Sequence, residues 1–542
     1  QSFIFTDEPE KEYDFFVCRQ TEMRTGLRFG KDGAKIIIER MRDEACGFLR
    51  IEGTEVFEHF AAHGHEGVHR TDEISGEGPV AGAFLVRDDV IRNAYDARVG
   101  VAAHQVLVVG ADQPQVLQDD QEAAAVLGGV VGLPDAQGQA VTFGVDTGFL
   151  VLNERTYPNL LALFSQLGVE IAPSDMSFSV QAPGAAPGGG ALEWSGSSLS
   201  TVFSQRRNLL NPRFWRMLAD ILRFNRITTR LAERGDDLGE NSPLLQPLGD
   251  FLREQGFSDE FRDWYFLPMM GCIWSCPTDQ MLAFPVATMV RFCHNHGLIQ
   301  VSNRPQWYTV RGGARHYVDK IVAEVPDARL STPVRQVLRD SQGVRIVTDR
   351  GVDRFDAVVM ACHTDQTLRL LGGEASANER EVLGAIRYQA NRAVLHTDAR
   401  VLPASRRAWA AWNYERAPSA SRESAQVCLH YLLNQLQPLP VEQPVVVSLN
   451  PQRPIEDRFV VGAWDYDHPV FDLAAIRAQA RVPALQGHLA TFYAGAWCGY
   501  GFHEDGLKSG LRAARSLIEY LGLVPVTDDQ AARRAALPGV FA

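Results

Sequence analysis

Apolar and polar positions divide this chain into three stretches. Up to about residue 140, short apolar runs alternate with charged segments. Tyr13 to Val17 reads as a strand and Thr25 to Lys31 as a helix. Gly33-Ala34-Lys35-Ile36-Ile37-Ile38-Glu39 reads as a turn and a buried strand. Gln105-Val106-Leu107-Val108-Val109-Gly110 is a cleaner buried strand closed by glycine. Beyond Val141 the signals strengthen. Val141 to Leu152 is strand-like, and Arg155 to Leu167 is an amphipathic helix opened by Tyr157-Pro158. Proline suits that first turn, where its missing amide has no intrahelical acceptor to lose. Pro212 to Leu231 forms a long helix, and Leu245 to Gln255, Asp259 to Pro268 and Gln280 to His296 extend the helical block. The chain then switches to strands at Ser331 to Arg339, Gly343 to Thr348, Asp353 to Ala361, Gln443 to Leu449 and Phe459 to Tyr466. A final helix runs from about Glu504 to Leu521. The Pro/Gly/Ala stretch Ala182 to Gly190 and the polar stretch Glu233 to Ser242 read as loops. Strands, a helical block and strands again predict a sheet domain interrupted by a substrate domain.

Composition narrows the classes. With 45% apolar and 22% charged residues, the 542-residue chain is an ordinary globular one. Its net charge of −13 argues against sequence-independent nucleic-acid binding, which needs excess cations to displace counterions. Eight cysteines are too few for a disulfide scaffold, so a reducing cytoplasm is expected. No apolar run is long enough to predict a transmembrane segment, which leaves association with a membrane surface open.

Candidate chemistry begins with a misfit. Val17 to Glu39 has the spacing of a dinucleotide-binding unit, with Glu39 as the ribose-binding acid. Where Gly-x-Gly-x-x-Gly should stand, however, the chain reads Cys18-Arg19-Gln20-Thr21-Glu22-Met23. Without glycine the backbone cannot approach a pyrophosphate, and Glu22 would repel it. The run ending at Gly110 also loses the fingerprint after one glycine. Cys272, Cys276, Cys293, His294 and His296 have a loose metal-like spacing, but buried helical cysteine is the commoner explanation and no metal is assigned. Neither a nucleophile elbow nor a P-loop occurs.

The most informative segment is Thr491-Phe492-Tyr493-Ala494-Gly495-Ala496-Trp497-Cys498-Gly499-Tyr500-Gly501-Phe502-His503-Glu504-Asp505-Gly506-Leu507-Lys508-Ser509-Gly510. An aromatic strand ends at Gly495, and a Gly-rich turn delivers a helix with one small face. Its positive amino end can hold an electron-rich oxygen, such as that at the pyrimidine edge of a flavin. This segment resembles the C-terminal flavin motif of the amine oxidase and phytoene desaturase superfamily. It is most similar to a bacterial branch described as predicted NAD/FAD-binding, amine-oxidase-like oxidoreductases. Val145-Asp146-Thr147-Gly148-Phe149, Ile273-Trp274-Ser275-Cys276-Pro277, Ala361-Cys362-His363-Thr364-Asp365-Gln366, Arg387-Tyr388-Gln389 and His468-Pro469-Val470-Phe471-Asp472 match that branch too.

The resemblance implies an α/β, two-domain FAD-binding fold of amine-oxidase type. A dinucleotide-binding sheet domain is interleaved with a helical plus antiparallel-sheet substrate domain. The expected divisions are 1–150 (degenerate dinucleotide-binding region), 151–305 and 376–480 (substrate domain), 306–375 (FAD-domain strands), 481–525 (flavin motif and helix) and 526–542 (tail). FAD would be held by Glu39, Gly128, Gly129, Val334, Gly495, Gly501, Asp505, Gly506 and Ser509. His503, Glu504, Trp274 and Tyr388 are the candidate catalytic residues, the first for electrostatic tuning or proton relay. For Glu504 a structural duty at the helix start weighs equally. The implied activity is removal of a hydride equivalent from an organic small molecule. Phe, Leu, Met and Trp in 150–305 favour an apolar, acyl or isoprenoid-like substrate over a small amine. Two alternatives stay open: a flavin-containing fatty-acid isomerase or hydratase without net redox, and a cofactor-free scaffold or partner-binding protein.

Overall fold

Period-two and continuous apolar runs become strands, and 3.6-period runs become helices, through most of the chain. The computed structural model describes residues 13–18, 24–29, 34–40, 46–52, 106–110, 128–148, 150–233, 243–299, 304–417 and 426–523. Two units separate, Gln1–Ala102 and Ala103–Ala542.

The first unit holds a four-stranded sheet ordered β1 (Tyr13–Cys18), β2 (Arg24–Phe29), β4 (Cys46–Glu52), β3 (Ala34–Arg40). The expected helix at Thr25 to Lys31 is corrected: it is strand β2, antiparallel to β1 with Val17 opposite Thr25. In sequence, Thr25, Leu27 and Phe29 alternate with Arg24, Gly26 and Arg28, a period of two that a helix cannot use. The strand–helix–strand outline of a dinucleotide unit therefore fails here, because β1 and β2 are antiparallel neighbours and parallel pairing is what a crossover helix serves. Glu39 falls on β3, and its side chain lies outside the described residues, as do positions 19–23.

In the second unit, three short apolar strands, β5 (Val106–Gly110), β16 (Ala357–Ala361) and β22 (Thr491–Tyr493), form a parallel sheet ordered β22-β16-β5. Gly110 stands opposite Ala361, and Met360 opposite Tyr493. Such continuous runs suit a parallel sheet buried on both faces. An antiparallel sheet of β13 (Val334–Asp340), β14 (Gly343–Thr348) and β15 (Gly351–Phe355) contributes Val337, Val344 and Ile346 to the same core. Behind β22, Arg339 and Glu379 are fully buried, 2.6 Å apart, with Tyr493 donating to the same carboxylate.

The larger core packs helices on a seven-stranded sheet ordered β11 (Leu192–Ser195), β10 (Phe178–Ala182), β18 (Trp412–Glu415), β19 (Cys428–Leu432), β20 (Val446–Leu449), β17 (Arg387–His396), β21 (Val460–Val470). Tyr414, Leu429, Tyr431, Val447 and Trp464 belong to this core. The helices relevant to the site are α1 (Pro158–Leu167), α2 (Pro212–Glu233), α3 (Leu267–Trp274), α4 (Val286–Asn295), α5 (Arg315–Ala323), α6 (Thr364–Leu371) and α7 (His503–Tyr520). A hairpin of β6 (Gly128–Pro134) and β7 (Ala140–Asp146) and a small sheet of β8 (Leu152–Asn153), β12 (Trp307–Val310) and β9 (Ile171–Ser174) complete the frame. The loop expected at 182–190 joins β10 to β11; that expected at 233–242 lies almost wholly outside the described residues. Among the described residues no helix is long and apolar enough to cross a membrane.

Candidate flavin site

Parallel strands end together, so β5, β16 and β22 deliver Gly110, Ala361 and Tyr493 to one edge of their sheet. The carboxyl edge of a parallel sheet is where α/β folds bind dinucleotides. After β22 the chain turns at Gly495, whose φ of +154° and neighbour Trp497 exclude a side chain: a Cβ there would lie 2.3 Å from the indole. Trp497 donates its indole N–H to the Cys362 carbonyl just past β16. Ser509, in the second turn of α7, accepts from the Gly495 amide and donates to carbonyl oxygens at Gly495 or Gly506, latching turn to helix. Gly501 (φ +94°) makes the second sharp bend, and Asp505 accepts from the amides of Tyr500 and Phe502. Asp505 thus closes its own turn, and burial raises its carboxyl above the usual range.

The expected catalytic residues take different places. His503, at the first position of α7, bonds through Nδ1 to the Tyr317 hydroxyl of α5 at 3.0 Å. Burial pushes its imidazole down to about 4, so it is neutral at physiological pH. Glu504 caps α1: its carboxylate accepts from the Asn159 amide, the Asn159 side chain and the Leu160 amide at 3.2, 2.6 and 3.0 Å, and Lys508 of α7 lies 3.4 Å from the same carboxylate. Trp274 ends α3 in an aromatic row, 4.8 Å from Phe292, which stacks on Phe502 and His296 at 5.1 and 4.0 Å. Tyr388 stacks on His363 at 4.3 Å and accepts from the Thr364 amide, beside the end of β16. The four do not form one cluster; His503 and the Trp274 row flank the start of α7, while Tyr388 sits by α6.

Of the expected cofactor contacts, Gly129 lies on β6, where a Cβ would come within 2.6 Å of Leu395. Gly128 stands opposite Asp146 across the hairpin, and Val334 opens β13. Asp146 was not among the expected site residues. It is buried, accepts from the Ala314 amide that opens α5 and from the Gln437 side chain, and is pushed up to about 7 by burial. Tyr317 was likewise missed and carries no motif in sequence, whereas Asp146 lies within the matched segment Val145 to Phe149, whose wording did not mark it as a site residue. A cavity of about 230 Å³ opens at the start of α7, lined by Arg155, Tyr157, His296, Tyr500, Phe502 and Lys508 among others.

These residues fit a flavin dinucleotide. A glycine-only turn follows a parallel strand, a helix amino end leads from it, and an aromatic row flanks that end. The indole N–H of Trp274 is buried in that row with no protein acceptor. The first amides of a helix have no intrahelical partner and attract electron-rich oxygen. Residues 111–127, which follow β5, lie outside the described residues.

Residues 121–380 match the family model "Flavin containing amine oxidoreductase". No curated protein matches the chain. Among solved structures, cyclohexylamine oxidase from Brevibacterium oxydans is similar at 14% identity and a TM-score of 0.51, over 77% of this chain and 99% of that one. A conjugated-linoleic-acid-producing fatty acid isomerase from P. acnes is similar at 14% identity and a TM-score of 0.47, over 70% and 88%.

Proposed function

We propose that this FAD-dependent oxidoreductase, whose residues 121–380 match the flavin containing amine oxidoreductase model, oxidises an apolar small molecule of acyl or isoprenoid type that carries no ammonium group. One observation carries the reading. Every buried carboxylate among the described residues is already engaged within the protein. Asp146 holds Ala314 and Gln437; Glu193 holds the amides of Ala404 and Ser405. Glu260 pairs with Arg213, Glu379 with Arg339, and Asp398 with Arg400, while Glu504 caps α1. An ammonium entering a dry site needs a counter-charge; three of these acids are already paired with arginine, and the other three spend their acceptor oxygens on amide groups of the protein. The core between helices and sheet is aromatic and aliphatic instead, with Phe266, Met270, Trp274, Tyr414, Tyr431 and Trp464 in one cluster.

FAD, when bound, supplies the hydride acceptor. The protein's part is orientation, exclusion of water and electrostatics. Neutral His503, held by Tyr317, orients the start of α7 without adding charge there. The aromatic row from Trp274 to Phe502 supports a wall for a flat ring. Anaerobic mixing of the FAD-loaded protein with unsaturated fatty acids, isoprenoids and primary amines tests the proposal. Bleaching of the flavin by an apolar substrate, with a product two hydrogens lighter, is expected. Bleaching by amines alone overturns it, and a product of unchanged mass identifies isomerisation without net redox.

A further inference from the structure

Strand register brings a second set of chemical groups together on the large sheet. Glu415 at the end of β18 stands directly opposite Cys428 at the start of β19. His430, two residues further along β19, projects to the same face. Cross-strand and diagonal neighbours on one face lie within reach of each other. Here Glu415 Oε2 lies 3.1 Å from His430 Nε2, and Cys428 Sγ lies 3.5 Å from His430 Nε2 and 3.9 Å from Glu415 Oε2. Cys428 and His430 are buried, and the Glu415 side chain is 14% exposed. None of the three belongs to the flavin site described above.

Zinc binds nitrogen and oxygen at about 2.0–2.1 Å and sulfur at about 2.3 Å. A tetrahedron with those bonds has an N···O edge of about 3.3 Å and edges to sulfur of about 3.5 Å. The three distances observed are close to one face of that tetrahedron. We propose that Glu415, Cys428 and His430 bind a divalent soft-to-borderline metal ion, with zinc the best match, tying β18 to β19.

Charge and outer contacts support the assignment. Thiolate plus carboxylate balance a divalent cation, so the loaded site is neutral. Sulfur disfavours magnesium and calcium. His430 Nδ1 is 2.6 Å from Ser448 Oγ, which is 2.7 Å from His396 Nε2; this is the outer hydrogen bonding that orients a ligating imidazole. Without metal the same chain is satisfied in another way. The Asp398 amide donates to His396 Nδ1, and burial keeps His396 neutral, so His396 Nε2 donates to Ser448. Ser448 then donates to His430, and His430 Nε2 to Glu415. Metal binding moves the His430 proton to Nδ1 and displaces the Cys428 thiol proton. It leaves at most one serine hydroxyl to find a new acceptor, a cost small beside the free energy of zinc binding.

Metal analysis and cobalt(II) titration of the full-length FAD-loaded chain test this. One equivalent of zinc per chain is expected. Cobalt should give a sulfur-to-metal charge-transfer band and intense tetrahedral bands to the red of flavin absorption. Cys428→Ser should abolish the charge-transfer band with flavin content unchanged. Ser448→Ala, which keeps all three ligands, should weaken metal affinity by about 10–100-fold. If Cys428→Ser does not fold, Glu415→Gln and Ser448→Ala carry the test. Absence of the cobalt bands in the parent protein overturns the proposal. So does metal bound equally tightly by the variants that fold, which marks the trio as a hydrogen-bonded pair beside a buried cysteine.

Discussion

Glu379 shows how far one side chain's surroundings can move its chemistry. Burial alone would raise its carboxyl, but Arg339, Tyr493 and the Ser376 amide hold it down to about 2. Its folded value lies below the ordinary 4.5, so its stabilising contribution is complete above about pH 4.5 and is lost as pH falls toward 2. Glu379→Ala leaves Arg339 buried without its counter-charge. We expect a loss of about 3–5 kcal/mol in urea unfolding, and a shallower fall in stability between pH 4.5 and 2 than in the parent. Equal acid sensitivity in both proteins would refute this account. At the same scale, Glu504 carries the family's wording but does the structural half of what its position allows. A carboxylate at a helix amino end is favourable whichever helix owns it.

Among elements, the junction of α7 with α1 decides how the helix of the candidate flavin site is held. Glu504 reaches from the first turn of α7 to the first amides of α1, so one carboxylate fixes the relative position of two helix starts. Glu504→Gln keeps one acceptor and should cost about 0.5–2 kcal/mol, in the range of a lost helix cap. Glu504→Ala should cost more and loosen flavin binding, read as faster FAD release on dilution. Unchanged stability in both variants would mean that the contact does not set helix position. The turn between β22 and α7 is the other decisive element. Because a Cβ at Gly495 meets Trp497 and the backbone is left-handed there, Gly495→Ala should purify folded but colourless, with far-UV circular dichroism retained. A yellow variant would place the flavin elsewhere.

Across the whole molecule, the sequence pattern located the elements well where tertiary context agreed with it. The helices at 158–167, 212–233 and 503–520 and the strands from 334 to 361 fall within a few residues of their expected places. They were legible because each buries one periodic face. The amino-terminal stretch was not. Its Thr25 to Lys31 segment alternates apolar residues with Arg and Gly over only a few positions, a period of two that the expected helix overlooked and that strand pairing settled as β2. The run at Val106 to Gly110 was seen as a strand, but only the parallel register with β16 shows that it, rather than β1, enters the dinucleotide-type sheet.

What this sequence determined by itself is local: periodicity set helices and strands, and glycines at 495 and 501 marked bends that a side chain would block. Its motif wording pointed to a flavin enzyme. Tertiary structure decided which groups meet. Residues 186 positions apart form the His503–Tyr317 bond, and 345 apart the Glu504–Asn159 bond. Strand register alone assembled Glu415, Cys428 and His430. Such pairings depend on packing across the chain, and no spacing along it records them.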